Sequence, residues 1–347
     1  MKKILFVGDA GSIHIKKYAD YFLCNGYDVY LATFSGKNDT RVKNIFYLSD
    51  ISINNDGGNF HYLLSVFKLV AIIKRIKPDF VNAHFSYSMG FITYIALKIS
   101  RVKASFSVVC HGSDILDYPF GICKYLNKLV LKNADKIISV SWQMTEIIKK
   151  MNVNNEKIFT GQYGIEYVLK DMRHCVRDID IISIRNYVPN SRIDELLKIL
   201  NKHCFFEKKI VFVLPGIEEE RLRYIQEKNK HIVFYKWLEH NQILELLERS
   251  NIYISATKSD GSSLSLMEAL ACGSIPIVSN IPSNREWIVD SLNGRLFDNF
   301  EDLFSIIKEI SENVNKCNNI RAMNYRLIEE RGKYLIQMEK IKKFIVE

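Results

Sequence analysis

Ile252-Tyr253-Ile254-Ser255-Ala256-Thr257-Lys258-Ser259-Asp260-Gly261-Ser262-Ser263-Leu264-Ser265-Leu266-Met267-Glu268-Ala269-Leu270-Ala271-Cys272-Gly273 runs from an apolar strand through a polar turn into a helix, and it carries two carboxylates, Asp260 and Glu268, with seven residues between them. The apolar run ends at Ser255, Gly261 permits a tight turn, and either Ser262 or Ser263 is placed to cap the helix that follows. The first N–H groups of a helix have no partner within it and bind phosphate, while carboxylates accept from hydroxyls. Asp260 then sits above the start of that helix, and Glu268 falls about two turns into it. The layout suits a ligand with both kinds of group, such as a nucleotide sugar. Taken alone it also fits an ordinary strand-to-helix connection with a surface Asp.

The rest of the chain alternates short apolar runs with longer amphipathic ones, the pattern of parallel sheets covered by helices, so the fold class is α/β. Strands are predicted at Lys3–Val7, Asp28–Ala32, Phe80–Ala83, Ser105–Val109 and Lys136–Val140, with helices at Ile13–Asn25, Phe60–Arg75, Ser88–Ser100, Gly121–Asn133 and Trp142–Met151. A second series of strands starts near Asp178: Ile179–Ile184, Ile210–Leu214, Ile232–Tyr235, Ile252–Ser255 and Ile275–Val278. Helices at Phe300–Ser311 and Ile320–Phe344 close the chain. A length of 347 residues fits two domains. The polar segment Gly164–Arg177 is read as the linker, giving domains at 1–165 and 178–325 and a last helix over 326–347 that crosses back to the first.

Seven cysteines (Cys24, Cys110, Cys123, Cys175, Cys204, Cys272, Cys317) form no CxxC pair, which argues against a zinc site or a disulfide framework and for a reduced, cytoplasmic setting. The apolar run Ile4–Val7 is too short for a signal peptide and reads as a buried strand. No run reaches the ~18 apolar residues of a membrane span, so membrane association is expected to be peripheral, at the inner face of the cytoplasmic membrane.

Residues 1–160 hold 21 Lys and Arg against 12 Asp and Glu, whereas residues 161–347 hold 27 of each. The whole excess of +9 therefore lies in the first half, which points to an anionic partner there or to a basic solvated surface. The segment from Phe60 to Lys77 combines strong apolarity with Lys68, Lys74, Arg75 and Lys77, and fits either a membrane interface or a helix packed on a sheet. No nucleic-acid-binding signature accompanies the charge, and nucleic acid is not expected as a partner.

Three loops of the first half follow predicted strands, where open α/β sheets place ligands. Gly8-Asp9-Ala10-Gly11-Ser12-Ile13-His14 brings glycines and a helix start, without the spacing of a dinucleotide site or a P-loop. Asn82-Ala83-His84-Phe85 offers His84, although a lone His in such a place is more often a packed or capping residue. Cys110-His111-Gly112-Ser113-Asp114 offers His111 and Asp114. In the second half, Arg185 ends a strand at Ile181-Ile182-Ser183-Ile184-Arg185, and its fork of donors matches phosphate oxygens.

From Asp260 to Glu268, with Ala269-Leu270-Ala271-Cys272-Gly273, Pro276-Ile277-Val278-Ser279, Asn284-Arg285-Glu286-Trp287 and Asn293-Gly294-Arg295-Leu296-Phe297, the chain resembles the donor-binding half of glycosyltransferase family 4. The resemblance implies a GT-B fold, two Rossmann-like domains with parallel sheets facing an interdomain cleft, and retaining transfer of a sugar from a nucleotide diphosphate, UDP above all, to an acceptor hydroxyl. It implies catalytic roles for His111, Asp260 and Arg185, and a donor site of Gly11, Arg185, Arg192, Asp260, Gly261, Ser262, Ser263, Leu264 and Glu268. His14, His84 and Asp114 fall on the acceptor side, and neither metal nor cofactor is called for. The first acid is Asp260 where the family usually has Glu, and Ser191-Arg192-Ile193 stands where the family commonly has a lysine. Lys-, Asn- and Ile-rich composition with six Pro points to a low-GC bacterium, and by analogy to a surface glycan or lipid-linked acceptor. A non-catalytic binding subunit of this fold and a sugar-nucleotide epimerase are the alternatives.

Overall fold

The computed structural model describes residues 1–34, 37–38, 40–49, 61–118, 121–167, 176–202, 205, 207–313 and 317–347, with the side chains of 61–63 excepted. The predicted start of a helix at Phe60, and Cys175 and Cys204, lie outside the described residues. Contacts divide the chain into two compact units, Met1–Tyr163 with Leu335–Glu347, and Gly164–Tyr334.

The first unit is built on β1 (Lys3–Val7), α1 (Ile13–Cys24), β2 (Asp28–Thr33), β3 (Asn44–Tyr47), α2 (His61–Ile76), β4 (Phe80–His84), α3 (Phe91–Ser100), β5 (Ser105–Cys110), α4 (Ser113–Leu116), α5 (Gly121–Asn133), β6 (Lys136–Ser139), α6 (Trp142–Lys149) and β7 (Ile158–Thr160). Its strands pair in parallel in the order β3-β2-β1-β4-β5-β6-β7. The second unit contains β8 (Ile179–Ile184), α7 (Ile193–Leu200), β9 (Ile210–Val213), α8 (Glu219–Lys228), β10 (Ile232–Tyr235), α9 (His240–Glu248), β11 (Ser250–Ser255), α10 (Leu264–Ala271), β12 (Ile275–Ser279), α11 (Pro282–Arg285), β13 (Arg295–Phe297), α12 (Phe300–Asn313) and α13 (Asn318–Arg331). Its parallel order is β10-β9-β8-β11-β12-β13. The chain ends in α14 (Tyr334–Val346).

Both sheets are covered on both faces, so interior strands are buried throughout, as in β4 and β12. Successive side chains of β8 and β11 go to opposite layers: Ile181, Ile252 and Ile254 join one apolar cluster, and Ile182, Ile184 and Tyr253 the other. In each sheet the strand order reverses once, at β1/β4 and at β8/β11. Loops diverge at such a point and leave a crevice at the carboxyl ends of the strands.

The interior strands fall where the sequence places them, and three differences have physical causes. Strands β3, β7 and β13 were not anticipated; all are edge strands of three or four residues, mostly half-buried or exposed, too short to stand out from the loops around them. The helix expected over Ser88–Ser100 begins as a π-turn at Ser86–Gly90 and becomes α-helical only at Phe91. The single helix expected over Ile320–Phe344 is two, α13 and α14. Ile165 takes the place of helical partners at the break: its N–H donates to the Gly332 carbonyl at 2.8 Å, and Tyr334 N–H donates to the Ile165 carbonyl at 3.1 Å.

That insertion depends on Gly164, which has φ +76° and whose added Cβ would stand 2.5 Å from the Gly332 oxygen. Gly216 has a similar φ of +81° with open space around it. Gly216→Ala is therefore expected to cost only the left-handed penalty of roughly 1–2 kcal/mol. Gly164→Ala should cost clearly more, because backbone must also move. Urea unfolding of the two variants measures the difference; equal losses would mean that the close approach contributes nothing.

Candidate functional site

In the second unit, Arg185 follows β8 and the 256–263 turn follows β11, so both stand at the reversal of strand order. Arg185 donates from Nε to Ser255 Oγ at 3.0 Å, from one terminal nitrogen to Asp260 Oδ2 at 2.9 Å and from the other to Ser263 Oγ at 2.9 Å. The Arg185 and Asp260 side chains are only 16% and 19% exposed, so this is a largely desolvated ion pair, more strongly coupled than a surface one. Asp260 Oδ1 has no hydrogen bond among the described residues.

Of the two candidate caps, Ser263 is the N-cap of α10, accepting from the Leu266 N–H at 3.2 Å, and Ser262 stays partly exposed beside it. Leu264 is the first helical residue. A hydroxyl chain runs from Ser263 through Ser265 to Tyr253 at 3.3 and 2.9 Å, and fixes the cap against β11. Gly261 is not in the left-handed region; the left-handed glycine here is Gly273, past the end of α10. Since α10 starts only at Leu264, Glu268 is just over one turn into it rather than two. Its Oε1 lies 2.8 Å from His240 Nε2, on the first residue of α9, and its Oε2 has no partner among the described residues. His240 carried no signal in the sequence beyond its residue type.

Arg192 is set apart from Arg185. It adopts φ +50° ahead of α7, donates Nε to the Ala256 carbonyl, and lays its guanidinium 5.0 Å from the Phe300 ring centre. Part of its polar edge thus ties the 189–192 turn to the end of β11.

In the first unit the candidate residues gather at the β1/β4 reversal. His111 Nε2 and His84 Nδ1 are 2.9 Å apart, the His14 ring centre is 4.4 Å from that of His111, and Tyr163 Oη is 3.2 Å from His14 Nδ1. Gly8 permits this convergence, since a Cβ there would stand 2.5 Å from Ile15 and 3.4 Å from His84. Phe85 is held at φ +70°, and its ring lies 4.8 Å from that of His111. A bulky residue in that region costs roughly 1–3 kcal/mol and marks a site fixed by its surroundings. Gly11 N–H is already taken by Asp9 Oδ1 at 2.9 Å.

Asp114 requires a correction. It was expected to face an acceptor, but it is fully buried and both oxygens are occupied. Oδ1 accepts from the His111 and Gly112 N–H groups at 2.9 and 3.0 Å, and Oδ2 from the Ser86 N–H and hydroxyl at 2.9 and 3.0 Å. It is a positioning residue that binds the loop after β5 to the turn after β4. Burial raises its carboxyl above the ordinary range, against the pull of those four donors. His84 is likewise 1% exposed, so it reaches a ligand only through His111. His84 and His111 share one proton across their 2.9 Å contact, so the tautomer of His84 decides whether His111 presents a lone pair or an N–H at Nδ1.

Burial and the neighbouring imidazoles hold both His84 and His111 well below the usual 6.5. In the unfolded chain the two take up protons below about pH 6.5, which the folded state refuses, so stability is full above that pH and falls as pH drops below it. The expected slope approaches about 1.4 kcal/mol per pH unit for each histidine. Thermal unfolding against pH should show it, with a shallower slope in His84→Phe; an unchanged slope in that variant would refute the assignment.

A family model described as "Glycosyl transferase 4-like" matches residues 3–141, and one described as "Glycosyl transferases group 1" matches 170–326. An uncharacterized 41.2 kDa protein in the cps region of Klebsiella pneumoniae is 22% identical over 288 residues, 78% of this chain and 79% of that protein. The N,N'-diacetylbacillosaminyl-diphospho-undecaprenol alpha-1,3-N-acetylgalactosaminyltransferase of Campylobacter jejuni is 24% identical over 263 residues, 68% of each. The structure of Anabaena HepE in complex with UDP superposes with a TM-score of 0.76 at 15% identity, over 99% of both chains. The fold is GT-B, in two α/β domains with parallel sheets. The chain belongs to the glycosyltransferases of the 4-like and group 1 type, and is a transferase. Neither description is of an epimerase or a binding subunit.

Proposed function

We propose that the chain transfers a sugar from a UDP-sugar, with retention at the anomeric carbon, to a hydroxyl of a glycan or lipid-linked acceptor, at the inner face of the cytoplasmic membrane, in synthesis of a bacterial surface polysaccharide. The observation that carries this reading is the convergence of Arg185, Asp260 and Ser263 at the start of α10, with Glu268 one turn further on the same helix. UDP is favoured because HepE, similar in fold, is described with UDP, and the lipid-linked acceptor by the name of the Campylobacter relative.

In this scheme the acceptor oxygen forms a bond to the anomeric carbon as the bond from that carbon to the diphosphate breaks, on the same face. The acceptor proton passes to the leaving phosphate oxygen. Negative charge grows on the diphosphate, and Arg185 and the first amides of α10 stabilise it. Glu268 accepts from the ribose hydroxyls through Oε2, with Oε1 held by His240. Asp260 accepts from sugar hydroxyls through Oδ1, and its short side chain admits a bridging water. His111 holds a sugar hydroxyl, the role the family resemblance gives it. The scheme calls on no resident metal or cofactor.

UDP at about 100 times its dissociation constant is expected to stabilise the protein by about 2.7 kcal/mol, read as a thermal shift that GDP and CMP do not give. No response to any nucleotide would remove the donor reading. Glu268→Gln, which loses one hydrogen bond to a charged group, should weaken UDP by roughly 10- to 100-fold. Asp260→Asn should lower turnover of the UDP-sugar while UDP still binds, since it frees Arg185 for phosphate. Calorimetric titration beside a transfer assay separates the two effects.

A further inference from the structure

Helices α2, α3 and α5 lie side by side in one layer of the first unit, which α6, carrying Glu146, continues beyond α5. The connections from β3 to β4, β4 to β5 and β5 to β6 all advance the same way across the sheet, so right-handed crossovers put the three helices on one face, and α3 packs against both others. Together they carry seven Lys or Arg and no Asp or Glu. At the chain's average of 39 acids in 347 residues, helices of this combined length would hold roughly four.

The same layer exposes large apolar side chains where soluble helices carry polar ones. On α2, Leu64 and Phe67 are 63% and 67% exposed, and on α5, Ile122 and Tyr125 are 65% and 68% exposed. All four lie in the N-terminal halves of their helices. Because each helix runs back against the parallel strands, this is the carboxyl edge of the sheet, the edge that holds His84 and His111. Lys124 and Lys128 are exposed on α5 beside Ile122 and Tyr125. A solvated basic surface accounts for the lysines but not for four exposed apolar side chains at one edge. Among the described residues no helix is long and apolar enough to cross a membrane.

We propose that the α2–α3–α5 face docks flat on an anionic phospholipid bilayer, with Leu64, Phe67, Ile122 and Tyr125 entering the headgroup boundary and the lysines facing the lipid phosphates. It deepens the membrane part of the proposed function, from which it takes only the idea that the acceptor is lipid-linked. The bilayer is favoured over nucleic acid because exposed aliphatic side chains have no use against a phosphate backbone.

The test is sedimentation of the full chain with vesicles, without nucleotide or acceptor, so that it and the UDP response fail separately. Binding is expected to vesicles containing phosphatidylglycerol and not to phosphatidylcholine alone, and to weaken as salt is added. Lys124→Gln with Lys128→Gln should reduce partition by roughly 30-fold, at about 1 kcal/mol per basic residue near an anionic surface. Phe67→Ser with Tyr125→Ser should reduce it to a similar extent. Both double variants replace exposed residues and should keep the wild-type melting temperature and UDP response. Binding to neither vesicle, equal binding to both, or binding unaffected by both variants overturns the proposal. So does binding to a DNA duplex that the same variants abolish, in the absence of vesicle binding.

Discussion

A charge withdrawn from water has to be matched group for group by its surroundings, and each unit is arranged around one such charge. In the first it is the Asp114 carboxylate with four donors; in the second it is the Arg185 guanidinium with Ser255, Asp260 and Ser263. An unmatched buried charge costs several kcal/mol, so the strand-end loops are held to the geometry that supplies the partners. Asp114 joins the ends of β4 and β5, and Arg185 joins β8, β11 and α10. Arg185 sits where parallel strand order reverses, and Asp114 one strand beyond such a point, where main-chain connections diverge and leave polar side chains room to converge.

The two charges do different work. Asp114 has no capacity left for a ligand; it holds His111 by its main chain, and the imidazole is kept neutral by burial and by His84 behind it. A neutral imidazole offers a donor or an acceptor to a hydroxyl without adding a charge that burial would penalise. Arg185 stays partly exposed, and one oxygen of its partner Asp260 remains open. The first arrangement fixes a shape, whereas the second keeps charge within reach of an incoming anion.

Much of this was legible in the sequence. Parallel strands buried on both faces print as apolar runs, which is why β1, β4, β8, β11 and β12 were found, and the turn after Ser255 announced the helix start. The edge strands β3, β7 and β13 are three or four residues long, and so short a print does not separate a strand from a loop. The break at Gly332 depends on the backbone of Ile165, far away in sequence, and no local pattern encodes it. Asp114 was visible as an acid in a loop, but whether donors close around it or leave it open is decided by Ser86, 28 residues upstream. His240 meets Glu268 across the same number of residues. Contacts of that kind are set by packing between elements, where spacing along the chain carries no information.

The pairing of Arg185 with Asp260 means that the guanidinium already holds a counter-ion. An anion arriving at Arg185 displaces a carboxylate rather than water, so its gain is a difference between two ion pairs and its affinity is moderated accordingly. When the anion departs, the carboxylate 2.9 Å away is ready to take the guanidinium back. In the proposed reaction a built-in competitor of this kind would disfavour retention of a spent diphosphate, and so couple release of one ligand to readiness for the next.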